Sequence, residues 1–139
     1  MKKKIFIFSF LLILLFATCF SIQDVQLRTC IRVIDGDTVE LEGSETVRLI
    51  GVDTPETVDP RKPVQRFGRE ACEFTRRLVE GKAVRLEFDL EKEDKYHRTL
   101  AYIFLADETF VNAEIIRQGY GFAYTKYPFK YGSLPFGVG

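Results

Sequence analysis

Two clusters of hard oxygen donors and two arginines set among apolar residues carry the chemistry of this sequence. Asp35-Gly36-Asp37-Thr38 occupies one turn, and Asp53-Thr54-Pro55-Glu56 directly follows a β-rich run, so carboxylates from both could face one cavity. Hard divalent cations take carboxylate and backbone carbonyl oxygens at about 2.3–2.6 Å, and Pro55 would hold the Thr54 carbonyl in a fixed direction. The spacing is not that of an EF-hand loop: counting from Asp35, Val39 and Glu40 fall where a ligand and a glycine are needed. Arg48 lies within Val47-Arg48-Leu49, and Arg98 stands just ahead of Leu100-Ala101-Tyr102. A guanidinium grips phosphate through two parallel hydrogen bonds and does not lose its charge. Beside a hard-metal carboxylate site it is what phosphodiester cleavage requires, because metal and guanidinium together stabilise the charge growing on the phosphorane oxygens. Each piece alone has a plainer reading: Asp-Gly-Asp is turn composition, and an arginine in a strand is an ordinary exposed residue.

The elements that must position these groups are short. Val25 to Val33 and Thr38 to Leu41 are β-rich and flank the Asp-Gly-Asp turn, and Thr46 to Val52 reads as a third strand. Asp53 to Pro63 holds three prolines and several charges, the composition of an ordered surface loop long enough to be functional. Ala71, Phe74, Thr75, Leu78 and Val79 recur at helical spacing, with Gly81 as the stop, which predicts an amphipathic helix over 69–80. Val84, Leu86 and Phe88 alternate with charged residues as a fourth strand, and Leu100 to Phe104 make a fifth. Val111 to Gln118 is a second, short helix, and 122–124 returns to extended chain. Three strands with no helical crossovers between them exclude a parallel βαβ array, so a small antiparallel barrel is expected, its open end plugged by Phe74 and Leu78 of the first helix. Closure would hide the edges of such short strands.

The 139 residues hold 20 Lys+Arg and 20 Asp+Glu, a balance that excludes neither polyanion nor metal binding. A hydrophobic share of 46% with 29% charged residues excludes a disordered chain, and no repeat points to a solenoid. Lys2, Lys3 and Lys4 precede an apolar run from Ile5 to Ala17, and small residues follow at Thr18, Cys19 and Ser21, so residues 1–21 read as a secretory signal. The alternatives are an uncleaved membrane anchor and, from Leu15-Phe16-Ala17-Thr18-Cys19, lipidation at Cys19. Removing 1–21 takes away three lysines and no acid, leaving a net charge of −3. Of the three cysteines, Cys30 and Cys72 remain in the domain; one sits in a strand and one in mid-helix, and two buried or half-buried thiols are expected rather than a disulfide. The chain is expected to be exported, secreted or held in the cell envelope, and monomeric.

Taken together, Val33-Ile34-Asp35-Gly36-Asp37-Thr38-Val39, then Arg48-Leu49-Ile50-Gly51-Val52-Asp53-Thr54-Pro55-Glu56-Thr57, then Asp94-Lys95-Tyr96-His97-Arg98-Thr99-Leu100-Ala101-Tyr102 resemble the staphylococcal (micrococcal) nuclease family, the thermonucleases. Phe67 to Ala71 and Val111 to Gly119 add to the likeness, which runs from about Val25 to about Tyr127. The resemblance implies a mainly β, α+β domain over 22–131: a five-stranded OB-fold barrel with two helices. It implies cleavage of DNA and RNA with Ca²⁺, leaving 3′-phosphate ends. By position, Asp37 and Asp53 match the carboxylate ligands of Ca²⁺, the Thr54 carbonyl completes the protein's share, and Asp35 is a nearby acid behind them. Glu56 matches the acid that activates or orients the attacking water, and Arg48 and Arg98 match the phosphate-binding pair. Lys95, Tyr96 and Tyr124 match positions that touch the terminal phosphate or stack near a base. Where the family has a second tyrosine two residues on, this chain has Lys126, with Tyr127 next to it; His97 stands at a position that is glycine in the best-known member. Arg61, Lys62, Arg66 and Arg69 form a basic run beside the proposed site that could offset the acidic balance toward a polyanion.

Family members continue into a C-terminal helix after the region of Tyr131. Residues 132–139 hold three glycines and a proline and are expected to be irregular rather than helical. Two other readings follow: a catalytically weak OB-fold module that only binds nucleic acid, and a truncated, unstable nuclease fragment.

Overall fold

The computed structural model describes residues 26–61 and 63–132. The expected targeting segment 1–21 with Cys19, Lys62 of the basic run, and all but Gly132 of the expected tail lie outside the described residues. Nine elements follow in order: β1 (Leu27–Asp35), β2 (Thr38–Leu41), β3 (Glu45–Leu49), β4 (Val52–Asp53), α1 (Gly68–Val79), β5 (Ala83–Glu87), β6 (Thr99–Leu105), α2 (Val111–Arg117) and β7 (Phe122–Ala123). Five strands close a barrel in the order β1-β2-β3-β6-β5, with β5 pairing back onto β1, while β4 and β7 form a separate two-stranded ladder.

The expectation of an all-antiparallel barrel is corrected: β3 and β6 run parallel, with Arg48 opposite Leu100, and the barrel is mixed. The reason lies in the connection. After β3 the chain leaves the barrel through β4, the 53–67 loop and α1, and re-enters at β5 beside β1. The β5–β6 hairpin then brings β6 back alongside β3 in the same direction. The third strand is also shorter than its composition suggests, because Gly51 adopts φ +73° and separates β3 from β4. Only glycine enters that region readily, and a Cβ there would stand 2.7 Å from the ring of Phe129.

The core is the barrel interior. Val39, Leu41, Val47, Val84, Ala101 and Ile103 are fully buried there, with Ile115 of α2 against them. Helix α1 covers the barrel through small residues: Ala71, Thr75 and Val79 are fully buried, whereas Phe74 and Leu78, expected as the plug, are half-buried at its margin. Small side chains let the helix approach closely, and the Thr75 hydroxyl donates to the Gly36 carbonyl at 2.7 Å, fastening α1 to the Asp-Gly-Asp turn. Cys30 is buried and Cys72 half-buried, both as free thiols, as expected. The last described residues lie over β5 and β6: the Lys130 N–H donates to Asp89 at 2.7 Å, the Tyr131 hydroxyl to Glu87 at 2.8 Å, and the Tyr131 ring packs edge-on against Tyr102.

Asn112 fixes α2 to the barrel by hydrogen bonds in addition to the apolar contact of Val111 and Ile115 with the core. Its carboxamide oxygen accepts the Ile103 N–H at 2.9 Å, and its NH₂ donates to the Ile50 carbonyl at 2.9 Å. Asn112→Leu keeps the shape but leaves a buried N–H and C=O unpaired, so stability is expected to fall by about 2–4 kcal/mol. The urea midpoint, at unchanged m-value, is the measurement.

Candidate active site

The site grows from Arg48. Opposite Thr38 in the β2–β3 register, it is carried to the end of the barrel where the Asp-Gly-Asp turn and the exit into β4 meet. Its side chain is only 17% exposed. One terminal nitrogen donates to the Val52 carbonyl at 2.7 Å and the Leu49 carbonyl at 3.0 Å, and the other stands 3.1 Å from Asp37 Oδ2 and 3.6 Å from Asp53 Oδ1. The arginine is therefore no ordinary exposed strand residue. It braces the bend around Gly51 and lies between two carboxylates.

Asp37 is held as firmly. Its Oδ2 accepts the Thr54 N–H at 3.0 Å and its Oδ1 accepts the Thr38 hydroxyl at 2.9 Å, so the two acidic segments are tied by a direct bond. Gly36 permits this approach, since a Cβ there would come within 2.6 Å of Thr54 Oγ1. Asp35 accepts the Gly36 N–H at 2.9 Å and the Thr57 hydroxyl at 2.7 Å, and also meets Glu56. Burial pushes its carboxyl up to about 6, Asp37 and Glu56 adding to the effect and the two hydrogen bonds opposing it. Asp53 is raised too, by burial and by the charges of Asp37 and Glu56, against the pull of Arg48. Glu56 moves the other way: the Val58 N–H at 2.8 Å holds it below the usual carboxylate range, with Asp35 and the Asp59 N–H contributing.

The structure thus gathers Asp35, Asp37, Asp53, Thr54, Glu56 and Arg48 into one place. Arg98 and its neighbours stand on the β5–β6 connection. Arg98 donates to Asp94 Oδ2 at 2.7 Å, and its guanidinium is 5.4 Å from the Tyr96 ring, with Lys95 at 4.9 Å on the same ring. Burial alone would raise Asp94, but the N–H groups of Arg98 and Tyr96 and the Arg98 guanidinium outweigh it and hold the carboxyl low. Among the described contacts none joins Arg98 to the carboxylate cluster. Tyr124 follows β7, its N–H donating to the Gly51 carbonyl at 3.0 Å, with Tyr127 beside it at 6.3 Å between rings. His97 is exposed at φ +61°, bonded to Glu93. Of the basic run, Arg61 is held by Asp59 and Arg66 lies over Phe67.

Sequence reasoning gave no role to three supporting residues. Thr57 secures Asp35, Gln65 exchanges backbone and side-chain bonds with Glu56, and Asp94 anchors Arg98. Only Asp94, four residues before Arg98, left a legible signal in its spacing.

Among the described residues no three or more His, Cys, Asp or Glu side chains converge as a ready metal cage. What the site offers instead is two carboxylates and a carbonyl, all hard oxygens. Arg48 is paired with Asp37 and Asp53, and the Asp53 carboxyl is raised first by burial and then by the charges of Asp37 and Glu56. The buried Thr54 hydroxyl has no hydrogen-bond partner among the described residues. That donor set fits a hard divalent cation that takes water at its remaining positions.

A closed five-stranded mixed barrel with two helices, carrying an arginine-bridged carboxylate cluster at one end, is an OB-type barrel. Residues 46–134 match the family model described as staphylococcal nuclease homologue, and the chain belongs to that family. It is 53% identical to a thermonuclease of Staphylococcus intermedius over 91 residues, covering 63% of this chain and 54% of the relative. A thermonuclease of Staphylococcus hyicus is 51% identical over 92 residues, covering 64% and 54%. Endonuclease YncB of Bacillus subtilis (strain 168) is 39% identical over 92 residues, covering 63% and 43%. The chain's matched segment spans about half the length of the two Staphylococcus relatives.

The crowding of acids has a measurable consequence for Asp35. A carboxyl raised in the folded state penalises folding fully above its folded pKa of about 6, and the penalty disappears as pH falls below the unfolded value near 3.8. Asp35→Asn keeps an oxygen for Gly36 and Thr57 and removes the charge. In EDTA at pH 7 it is expected to stabilise the chain by about 1–3 kcal/mol and to flatten the pH dependence of Tm between 4 and 7, read by circular dichroism.

Proposed function

We propose that this chain is a calcium-dependent nuclease that hydrolyses phosphodiester bonds of DNA and RNA and leaves 3′-phosphate ends. The observation that carries the reading is Arg48 lying between Asp37 and Asp53 at the barrel's end, in a chain of the staphylococcal nuclease family. Asp37, Asp53 and the Thr54 carbonyl would hold Ca²⁺. The bound ion would supply positive charge to polarise a non-bridging phosphate oxygen.

The chain's own residues do the rest. Glu56, held low by backbone N–H groups, is a weak base at neutral pH, so its part is to accept a hydrogen bond from the attacking water and fix its direction. The water oxygen forms a bond to phosphorus in line with the bond to the 5′-oxygen, which breaks; the water's proton goes to solvent and the 5′-oxygen takes one up. The phosphate stays on the 3′ side. Arg48 and Arg98 bind the phosphate and stabilise its growing charge, and Asp94 holds Arg98 ready. Lys95, Tyr96 and Tyr124 grip the flanking nucleotide by charge and stacking, which tolerates any base. The chain acts as a monomer after export, with residues 1–21 as its signal, anchor or, through Cys19, lipid attachment.

Hydrolysis of single-stranded DNA and of RNA by the purified chain tests this. Cleavage is expected with Ca²⁺, to stop in excess EGTA, and to fall about 10²–10³-fold in kcat/KM with Arg98→Ala. End analysis should find 3′-phosphates. Cleavage that survives EGTA, or that Arg98→Ala leaves intact, contradicts the reading, and binding without cleavage would favour the OB-fold binding module.

A further inference from the structure

We propose that the groove between α1 and the turn after α2 is an accessory phosphate subsite, which the nucleic-acid strand enters as it leaves the carboxylate site. The proposal rests on the nuclease reading and names where substrate beyond the cleaved bond is held. The groove has a volume of about 580 Å³, with Thr57 at one end and Arg69, Arg77 and Tyr120 along it. Thr57 places the groove beside the active site, since its hydroxyl is bonded to Asp35 and it directly follows Glu56 in the chain.

The charges that line the groove are unequal. Arg76 is engaged by Glu73 at 2.5 Å and Glu80 at 3.5 Å, so that group is largely neutralised within the helix. Arg69 and Arg77 are exposed and have no carboxylate partner among the described residues, which leaves two cations against the remaining acid, Glu70. Eight residues of helix rise about 12 Å, a separation that suits two phosphates of one strand better than a single anion. Tyr120 is pre-ordered by stacking on Phe74, with ring centroids 4.4 Å apart and planes 14° apart, and an aromatic so fixed is a platform for a base of any identity. Unlike the basic loop, where Arg61 is held by Asp59, this face keeps its cations available.

The test compares the full chain with an Arg69→Ala/Arg77→Ala double variant on a 20-nucleotide single strand and on a trinucleotide. The expected result is a KM for the 20-mer raised about 5- to 10-fold at low salt, with the slope of log KM against log salt reduced by about 1.4 for two lost phosphate contacts. The trinucleotide should be cleaved as before. An unchanged KM and slope for the 20-mer overturns the subsite, and so does an equal loss on both substrates.

Cys72, which lines the groove, gives a second readout, because Cys30 is fully buried and serves as internal control. In a Glu56→Gln chain with Ca²⁺, the 20-mer but not the trinucleotide should slow maleimide labelling of Cys72, mapped by mass spectrometry, and the double variant should abolish that protection. Labelling at the same rate with and without the 20-mer overturns the proposal. If the unaltered chain cleaves neither substrate, the nuclease reading fails, and Cys72 protection alone decides the groove.

Discussion

The guanidinium of Arg48 is the constraint on which the site depends. It accepts the burden of two carboxylates, Asp37 and Asp53, and at the same time closes the bend at Gly51 through the Leu49 and Val52 carbonyls. Backbone geometry and site electrostatics are thus set by one side chain. Removing it would both unbrace the exit of β3 and leave Asp37 and Asp53 without their counter-charge. Buried like charges persist only where other contacts over-determine them, and such local conflict is the mark of a functional site rather than of good packing.

Those other contacts come from every layer of the fold. The Thr54 N–H reaches Asp37, Thr57 reaches Asp35, and Thr75 ties α1 to the Gly36 carbonyl beneath the turn. The barrel therefore presents the two acidic segments as one rigid surface. The β4–β7 ladder sets Phe122 opposite Asp53 and leads into Tyr124, so aromatic residues border the acids on one side. The groove along α1 meets the cluster at Thr57, which is bonded to Asp35. A body with balanced charge can engage a polyanion in this way, because the local field at a cleft, not the net charge, governs the approach.

Most of this was legible in the residue order. The five barrel strands and the two helices followed from alternation and helical spacing, while Asp35, Asp37, Arg48, Asp53 and Glu56 stood out by residue type and were joined into one cluster by the resemblance to the family's ordered motifs. The parallel pairing of β3 with β6 did not, because direction depends on where a crossover re-enters, and no periodicity encodes that. The division of the third strand at Gly51 was hidden for a related reason: Val47 to Val52 has unbroken β composition, and only the positive φ of one glycine interrupts it. Burial of Arg48 was likewise invisible, since an arginine in a strand reads as exposed until its partners are placed around it. The half-burial of Phe74 and Leu78 reflects the preference of a closely seated helix for small residues at the contact.

A calcium titration of the full chain, followed by calorimetry and by Tm, bears most directly on the idea that the fold crowds acids together for a cation to join. One Ca²⁺ per chain should bind and raise Tm, while Asp53→Asn should abolish that shift and leave the ion-free Tm equal to or above that of the unaltered chain. A Tm unmoved by saturating Ca²⁺, or binding that persists when Asp37 and Asp53 are both replaced by Asn, would contradict it.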